Sequence, residues 1–217
     1  MNPKIDRAKV LELAERHVRA GRLEDAIAEY RRLLEGEAPD LSVNNTIGDL
    51  FLRLNQTERA VHAFREAADD YENRGQYSQA MAIYKKVVKF KPDDVRVALK
   101  MGEMYERQDF MTEAKEEYKR AAALLKRERK PKELIALYER LIKLDRQDTK
   151  PRLELADLYI QSKMISEALD TINDVAEDWI AAERYEEAGR ILVQARQHRE
   201  SFPRTVSNLM TIFRKLG

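Results

Sequence analysis

AIAEYRRLLEGEAPDLSVNNTIGDLFLRLNQTERAVHAFREAADDYENRGQYSQ, residues 26–79, aligns without a gap on AMAIYKKVVKFKPDDVRVALKMGEMYERQDFMTEAKEEYKRAAALLKRERKPKE, residues 80–133. Both align on LIALYERLIKLDRQDTKPRLELADLYIQSKMISEALDTINDVAEDWIAAERYEE, residues 134–187. Tyr30, Tyr84 and Tyr138 share a column, as do Gly48, Gly102 and Ala156. Phe51, Tyr105 and Tyr159 form another, and Ala60, Ala114 and Ala168 a fourth. A fixed period of 54 residues means a stack of repeated units, each too small to bury its own apolar face. Repeat columns report packing first, so the period specifies an architecture and leaves the partner open.

Within each unit apolar residues recur three and four apart, the helical period, as in Val43, Ile47, Leu50, Phe51 and Leu54. Breaks fall at Gly21, Gly36 with Pro39, Asn55, Gly75, Lys91-Pro92-Asp93-Asp94, Asp109, Pro131, Asp148, Ser162 and Pro203. Glycine suits the left-handed turn after a helix, and Asp or Ser caps the next start. The pattern predicts an all-α chain of about twelve antiparallel helices. Their expected spans are 4–19, 23–36, 41–54, 57–73, 77–90, 94–107, 111–127, 131–144, 148–161, 165–181, 185–198 and 204–215. Mid-helix glycine costs about 1 kcal/mol relative to alanine, which a closely packed neighbour can offset.

These columns resemble the tetratricopeptide repeat, whose 34-residue pattern places a small residue eighth, an aromatic eleventh, Ala twentieth and an aromatic twenty-fourth. The resemblance rests on Gly102, Tyr105, Ala114, Tyr118 and Ala121 at 95–128, and on Gly48, Phe51, Ala60, Phe64 and Ala67 at 41–74. It continues through Ala14, Ala26, Tyr30 and Leu33 at 7–40, and Ala156, Tyr159, Ala168, Ile172 and Val175 at 149–182. Overlapping repeats lie near 61–94, 115–148 and 169–202, because the landmark position advances by 34 and 20 residues in turn. The resemblance implies an α-solenoid with an additional helix in each 54-residue unit, like a group of bacterial repeat proteins. One continuous array over 1–217 is expected, ending in a capping or truncated-repeat helix at 204–215.

Charged residues make up 36% of the chain and aromatics 7%, with a formal net charge of +1, so no global field favours nucleic acid or an anionic membrane. Residues 115–153 carry 13 Lys/Arg against 7 Asp/Glu, whereas 154–188 carry 2 against 10. That asymmetry reads as solvated helix faces or as opposite-sign patches for self-association. Cysteine is absent, so no disulfide and no thiolate zinc site can form. His17, His62 and His198 stand apart from any metal-ligand spacing, and His17 occupies an aromatic packing column. No cofactor is expected. No nucleophile motif or phosphate loop appears, so the chain reads as no enzyme. There is no apolar signal region and no run near the roughly 18 apolar residues of a membrane helix, so a cytoplasmic protein without membrane insertion is expected.

The leading functional reading is a protein-interaction scaffold that grips a peptide or helix of a partner in a groove. Single-stranded RNA binding is the alternative, and it requires a basic groove with stacking aromatics. The polar column Asp49, Glu103 and Asp157 follows the small residue in all three units. It reads as ion pairs between neighbouring helices or as an acidic ladder along a groove. Variable columns add Asn45, Leu52 and Lys100. Asn45 offers both a donor and an acceptor to a peptide backbone. Carboxylate-gripping members of the resembled family carry basic residues at the second and sixth positions of a repeat, here Arg96 and Lys100. Only fragments of that clamp exist, since Asp49 repels a carboxylate. The partner-contacting set expected from sequence is therefore Asn45, Asp49, Leu52, Arg96, Lys100 and Glu103.

Overall fold

The computed structural model describes residues 6–34, 41–199 and 201–216. Among them are twelve helices and no strand. They are α1 Arg7–Arg19, α2 Leu23–Arg32, α3 Leu41–Arg53, α4 Thr57–Asn73, α5 Tyr77–Phe90, α6 Val95–Arg107, α7 Met111–Arg127, α8 Pro131–Leu144, α9 Thr149–Gln161, α10 Ile165–Ala181, α11 Tyr185–Arg196 and α12 Pro203–Leu216. The described bounds follow the expected ones within about three residues, except that α2 ends at Arg32 where 36 was expected; the expected ends at 4 and 36 themselves lie outside the described residues. The chain divides into two compact units, Met1–Gln108 and Asp109–Gly217. Consecutive helices pack within each. No described helix is long and apolar enough to cross a membrane.

The turns carry the register. Backbone φ is positive at Gly21, Asn55, Gly75, Asp109, Arg129, Lys163 and Glu183, which lie alternately 34 and 20 residues apart. At six of these turns the next residue's N–H reaches five residues back: Arg22 to His17 O, Gln56 to Phe51 O, Gln76 to Tyr71 O, Lys130 to Leu125 O, Met164 to Tyr159 O and Arg184 to Trp179 O. This left-handed helix stop satisfies carbonyls that the helix end leaves unpaired. Gly21 and Gly75 enter it without a Cβ penalty, whereas the other five positions accept the strain. The longer connections are capped differently. Asp94 accepts from Val97 N at 3.3 Å, and Asp148, one period later, from Lys150 N at 3.1 Å.

The repeat columns form the core. Tyr30, Tyr84 and Tyr138 are buried, as are Ala60, Ala114 and Ala168. Gly48 of α3 meets the ring of Phe64 on α4 so closely that an added Cβ would lie 2.5 Å from Phe64 Cε1. At Gly48 the small residue is thus a contact requirement. In the first unit Phe64, Val61, Tyr84, Val87 and Met104 share one core cluster. In the second, Trp179 packs with Val175, Leu192, Leu209 and Ile212.

Ion pairs then link three sets of helices two apart in the chain. Between α4 and α6 the pairs are Arg65–Asp94, Asp69–Arg96 and Glu72–Lys100. Between α7 and α9 they are Lys119–Asp148 and Lys126–Glu154. From α12, Arg204 reaches Asp170, Asp174 and Glu177 of α10. Most partners are partly solvated, so each pair contributes no more than about 1 kcal/mol, and their larger effect is to hold the helices in register.

Candidate functional site

A cleft of about 490 Å³ opens in the second unit where α7, α8 and α9 meet. Leu125, Leu134, Tyr138 and Leu158 give it an apolar lining, and Pro131 joins them at the first position of α8. Proline suits that position because the first helical N–H has no intrahelical acceptor. Lys126, Arg129, Lys130, Glu154, Asp157 and Gln161 complete the lining. The left-handed turn at Arg129 brings the end of α7 into the start of α8, and so sets this edge.

The charges at the cleft are unequally satisfied. Lys126 donates to Glu154, and this hydrogen bond holds the ammonium pKa above its ordinary value. The Tyr138 hydroxyl lies 3.5 Å from Glu154 Oε2. Burial first, then the negative charge of Glu154, pushes the phenol pKa up. Lys130 pairs with Glu128 at 2.8 Å, and that hydrogen bond likewise raises its pKa. Arg129 and Asp157 differ, because neither side chain has a hydrogen-bond or ion-pair partner among the described residues. The cleft therefore presents an apolar floor with one unpaired cation and one unpaired anion.

The same columns in the first unit are organised differently. The counterparts of Lys126 and Glu154 are Glu72 and Lys100, which form the same cross-helix pair at 2.9 Å with the signs exchanged. The counterparts of Pro131 and Gln161 are Tyr77 and Arg107. There Arg107 Nη1 donates to the Tyr77 hydroxyl at 2.9 Å, with its guanidinium 5.5 Å from the ring centroid. That pair joins the start of α5 to the end of α6. Proline and glutamine cannot reproduce it, and the second unit is left open.

The six residues expected from sequence all fall in the first unit, in two sets. Asn45 and Asp49 on α3 both accept from Lys86 of α5, at 2.8 and 3.0 Å. On α6, Arg96 donates to Asp69 of α4, and Lys100 donates to Glu72 of α4 while standing 3.9 Å from Glu103. Leu52 is half-buried and packs against the core. The structure thus brings Arg96, Lys100 and Glu103 together against α4, and Asn45 with Asp49 against α5. The columns of Lys100 and Glu103 reappear 54 residues later as Glu154 and Asp157, which line the cleft. The signal for the cleft was therefore present in sequence, as the replacement of Tyr77 and Arg107 by Pro131 and Gln161. The opposite-sign segments 115–153 and 154–188 also meet inside the second unit, through Lys126–Glu154 and Arg152–Asp178.

The family model described as Tetratricopeptide repeat matches residues 11–69 and 45–133, together more than half of the chain. No curated protein matches. Among solved structures, the chain is similar to YrrB, described as a TPR protein with an unusual peptide-binding site, at 16% identity over 72% of this chain and 95% of that one, with a TM-score of 0.31. A tetratricopeptide repeat protein from Parabacteroides merdae ATCC 43184 is 16% identical over 95% of this chain and 98% of its own, with a TM-score of 0.28. The putative kinesin light chain TPR-like repeats of Podosopora anserina are 15% identical over 95% and 93%, with a TM-score of 0.39.

Proposed function

Because the chain belongs to the tetratricopeptide repeat family, we propose that it is a non-catalytic scaffold which holds a peptide segment of a partner protein in the cleft between α7, α8 and α9. The observation that carries this reading is the apolar cleft with Arg129 and Asp157 unpaired at its edge. Apolar area supplies affinity when it leaves water, and a few unsatisfied polar groups fix orientation. RNA binding is less well supported. Tyr30, Tyr84 and Tyr118 are buried and offer no face to a base. The cleft also carries acidic as well as basic groups.

The test is a selection of random twelve-residue peptides on the whole chain. Selected peptides are re-measured on the variant Pro131→Tyr with Gln161→Arg, which rebuilds the ring–cation pair of the first unit. The reading expects them to lose at least about tenfold in affinity on that variant, equivalent to about 1.4 kcal/mol. Equal binding to both proteins, with the variant folded by circular dichroism, overturns it.

A further inference from the structure

The first unit contains an internal guide to what the open cleft of the second accepts. Tyr77 at the start of α5 and Arg107 at the end of α6 place a ring and a cation in contact. The hydrogen bond to Tyr77 favours the charged guanidinium most, and Glu72 and Glu103 add electrostatic support. One period later the ring becomes Pro131, the cation becomes Gln161, and Ala80 becomes Leu134. The acidic counterpart survives, since Glu103 becomes Asp157. At these columns the second unit has therefore kept the anion, gained apolar volume, and lost both the ring and the cation.

The remaining charges refine the picture. Glu72 is replaced by Lys126, a sign that would repel a cation, but Glu154 neutralises it. Asp157 is left as the uncompensated anion. Gly75 is replaced by Arg129, whose guanidinium is unpaired among the described residues and stands at the turn into α8. An occupant that satisfies both edges needs a basic group for Asp157 and a carboxylate for Arg129, with an aromatic side chain between them on Pro131 and Leu134.

We propose that the cleft selects peptide segments in which an aromatic residue is flanked by one basic and one acidic residue, the partner supplying in trans the ring and cation that Tyr77 and Arg107 supply within the first unit. The proposal rests on the reading of the cleft as a peptide site. It adds the chemistry of the peptide and predicts that one order of its charges is preferred. Asp157 and Arg129 sit at different places on the edge, so the two orders of charge around the aromatic residue are not equivalent.

The test uses four synthetic ten-residue Gly/Ser peptides centred on Arg-Phe-Glu, Glu-Phe-Arg, Ala-Phe-Ala and Arg-Ala-Glu. Their affinities for the whole chain are measured by titration calorimetry or fluorescence anisotropy. One charged phenylalanine peptide is expected to bind about tenfold tighter than Ala-Phe-Ala and Arg-Ala-Glu, and tighter than its charge-reversed partner. The double substitution Asp157→Arg with Arg129→Asp is expected to invert the preferred order. Both side chains are unpaired, so the fold should be retained, which thermal unfolding checks. Ala-Phe-Ala binding as well as the charged peptides overturns the proposal, and so does an order preference that the exchange leaves unchanged. If peptides from the random selection bind in the cleft while none of the four does, this inference fails and the peptide site stands. If no peptide of either kind binds there, both fail.

Discussion

Replacing Tyr84 tests how the three-helix unit is held. Its side chain is 1% exposed, and its hydroxyl on α5 donates to Asp69 Oδ1 of α4 at 2.5 Å. Arg96 of α6 pairs with the same carboxylate, so one acidic group joins three helices. Burial, then the hydrogen bond to Asp69, pushes the phenol pKa far above its ordinary value. Tyr84→Ala removes a buried ring from a close-packed column and leaves a cavity, for a loss of about 3–5 kcal/mol. Tyr84→Phe keeps the ring and deletes only the hydroxyl. Asp69 is partly solvated and retains Arg96, so the loss is limited to about 1–2 kcal/mol. Tyr138→Phe should cost less than about 1 kcal/mol, because its hydroxyl stands 3.5 Å from Glu154 in a weaker contact. Urea unfolding followed by circular dichroism, with midpoint and slope compared across the three variants, gives the values. A loss below about 1 kcal/mol for Tyr84→Ala would refute the packing argument. A Phe variant as damaged as the Ala variant would refute the division between ring and hydroxyl.

Two of the helical glycines, Gly48 and Gly189, should respond in opposite directions. Gly48→Ala drives a Cβ to 2.5 Å from the fully buried Phe64 ring. It should destabilise by about 1–3 kcal/mol despite the better helix propensity. Gly189→Ala on α11 meets nothing within 4 Å and should stabilise by about 0.5–1 kcal/mol. Thermal unfolding of both separates steric from propensity effects, and losses of the same sign would contradict the geometry. Arg129→Gly relieves a φ of +56° and should raise stability by about 0.5–1 kcal/mol in the same assay, while a drop would show that the side chain has a structural partner. Glu177 accepts from Arg204 Nε and Nη2 at 2.7 Å each, and this holds its pKa below the ordinary carboxylate value. A lowered folded pKa contributes stability that is present above about pH 4.3 and lost as acid protonates the folded group. Glu177→Gln should therefore lose less melting temperature between pH 7 and pH 3 than the natural chain, and equal losses would remove this pair from the acid response.

The helices were legible because their signals are local. Apolar spacing, the Asp94 and Asp148 caps and the turn residues all lie within single helices or at their ends. The occupancy of the polar columns was less legible. Whether Lys100 is available to a partner depends on Glu72, 28 residues earlier on the second helix away, and Arg96 depends on Asp69 in the same way. Neither spacing forms a pattern along one helix. The ring–cation pair is a further step removed, since it depends on whether residues 30 apart, Tyr77 and Arg107, touch. Their replacement by Pro131 and Gln161 acquires meaning only once that contact is known. The asymmetry of charge between 115–153 and 154–188 has the same origin: part of it is complementary pairing between helices of one unit.

The most direct test of the peptide-site reading is a methyl-resolved NMR titration of the whole chain with a peptide from the random selection. The account predicts that methyl resonances of Leu125, Leu134 and Leu158 shift together and saturate at one affinity. It also predicts that these shifts disappear in the Pro131→Tyr, Gln161→Arg variant. Saturable binding that leaves those three residues unmoved, and instead perturbs Leu52 and the neighbours of Asn45, Asp49, Lys100 and Glu103, would contradict the account and move the recognition surface to the first unit.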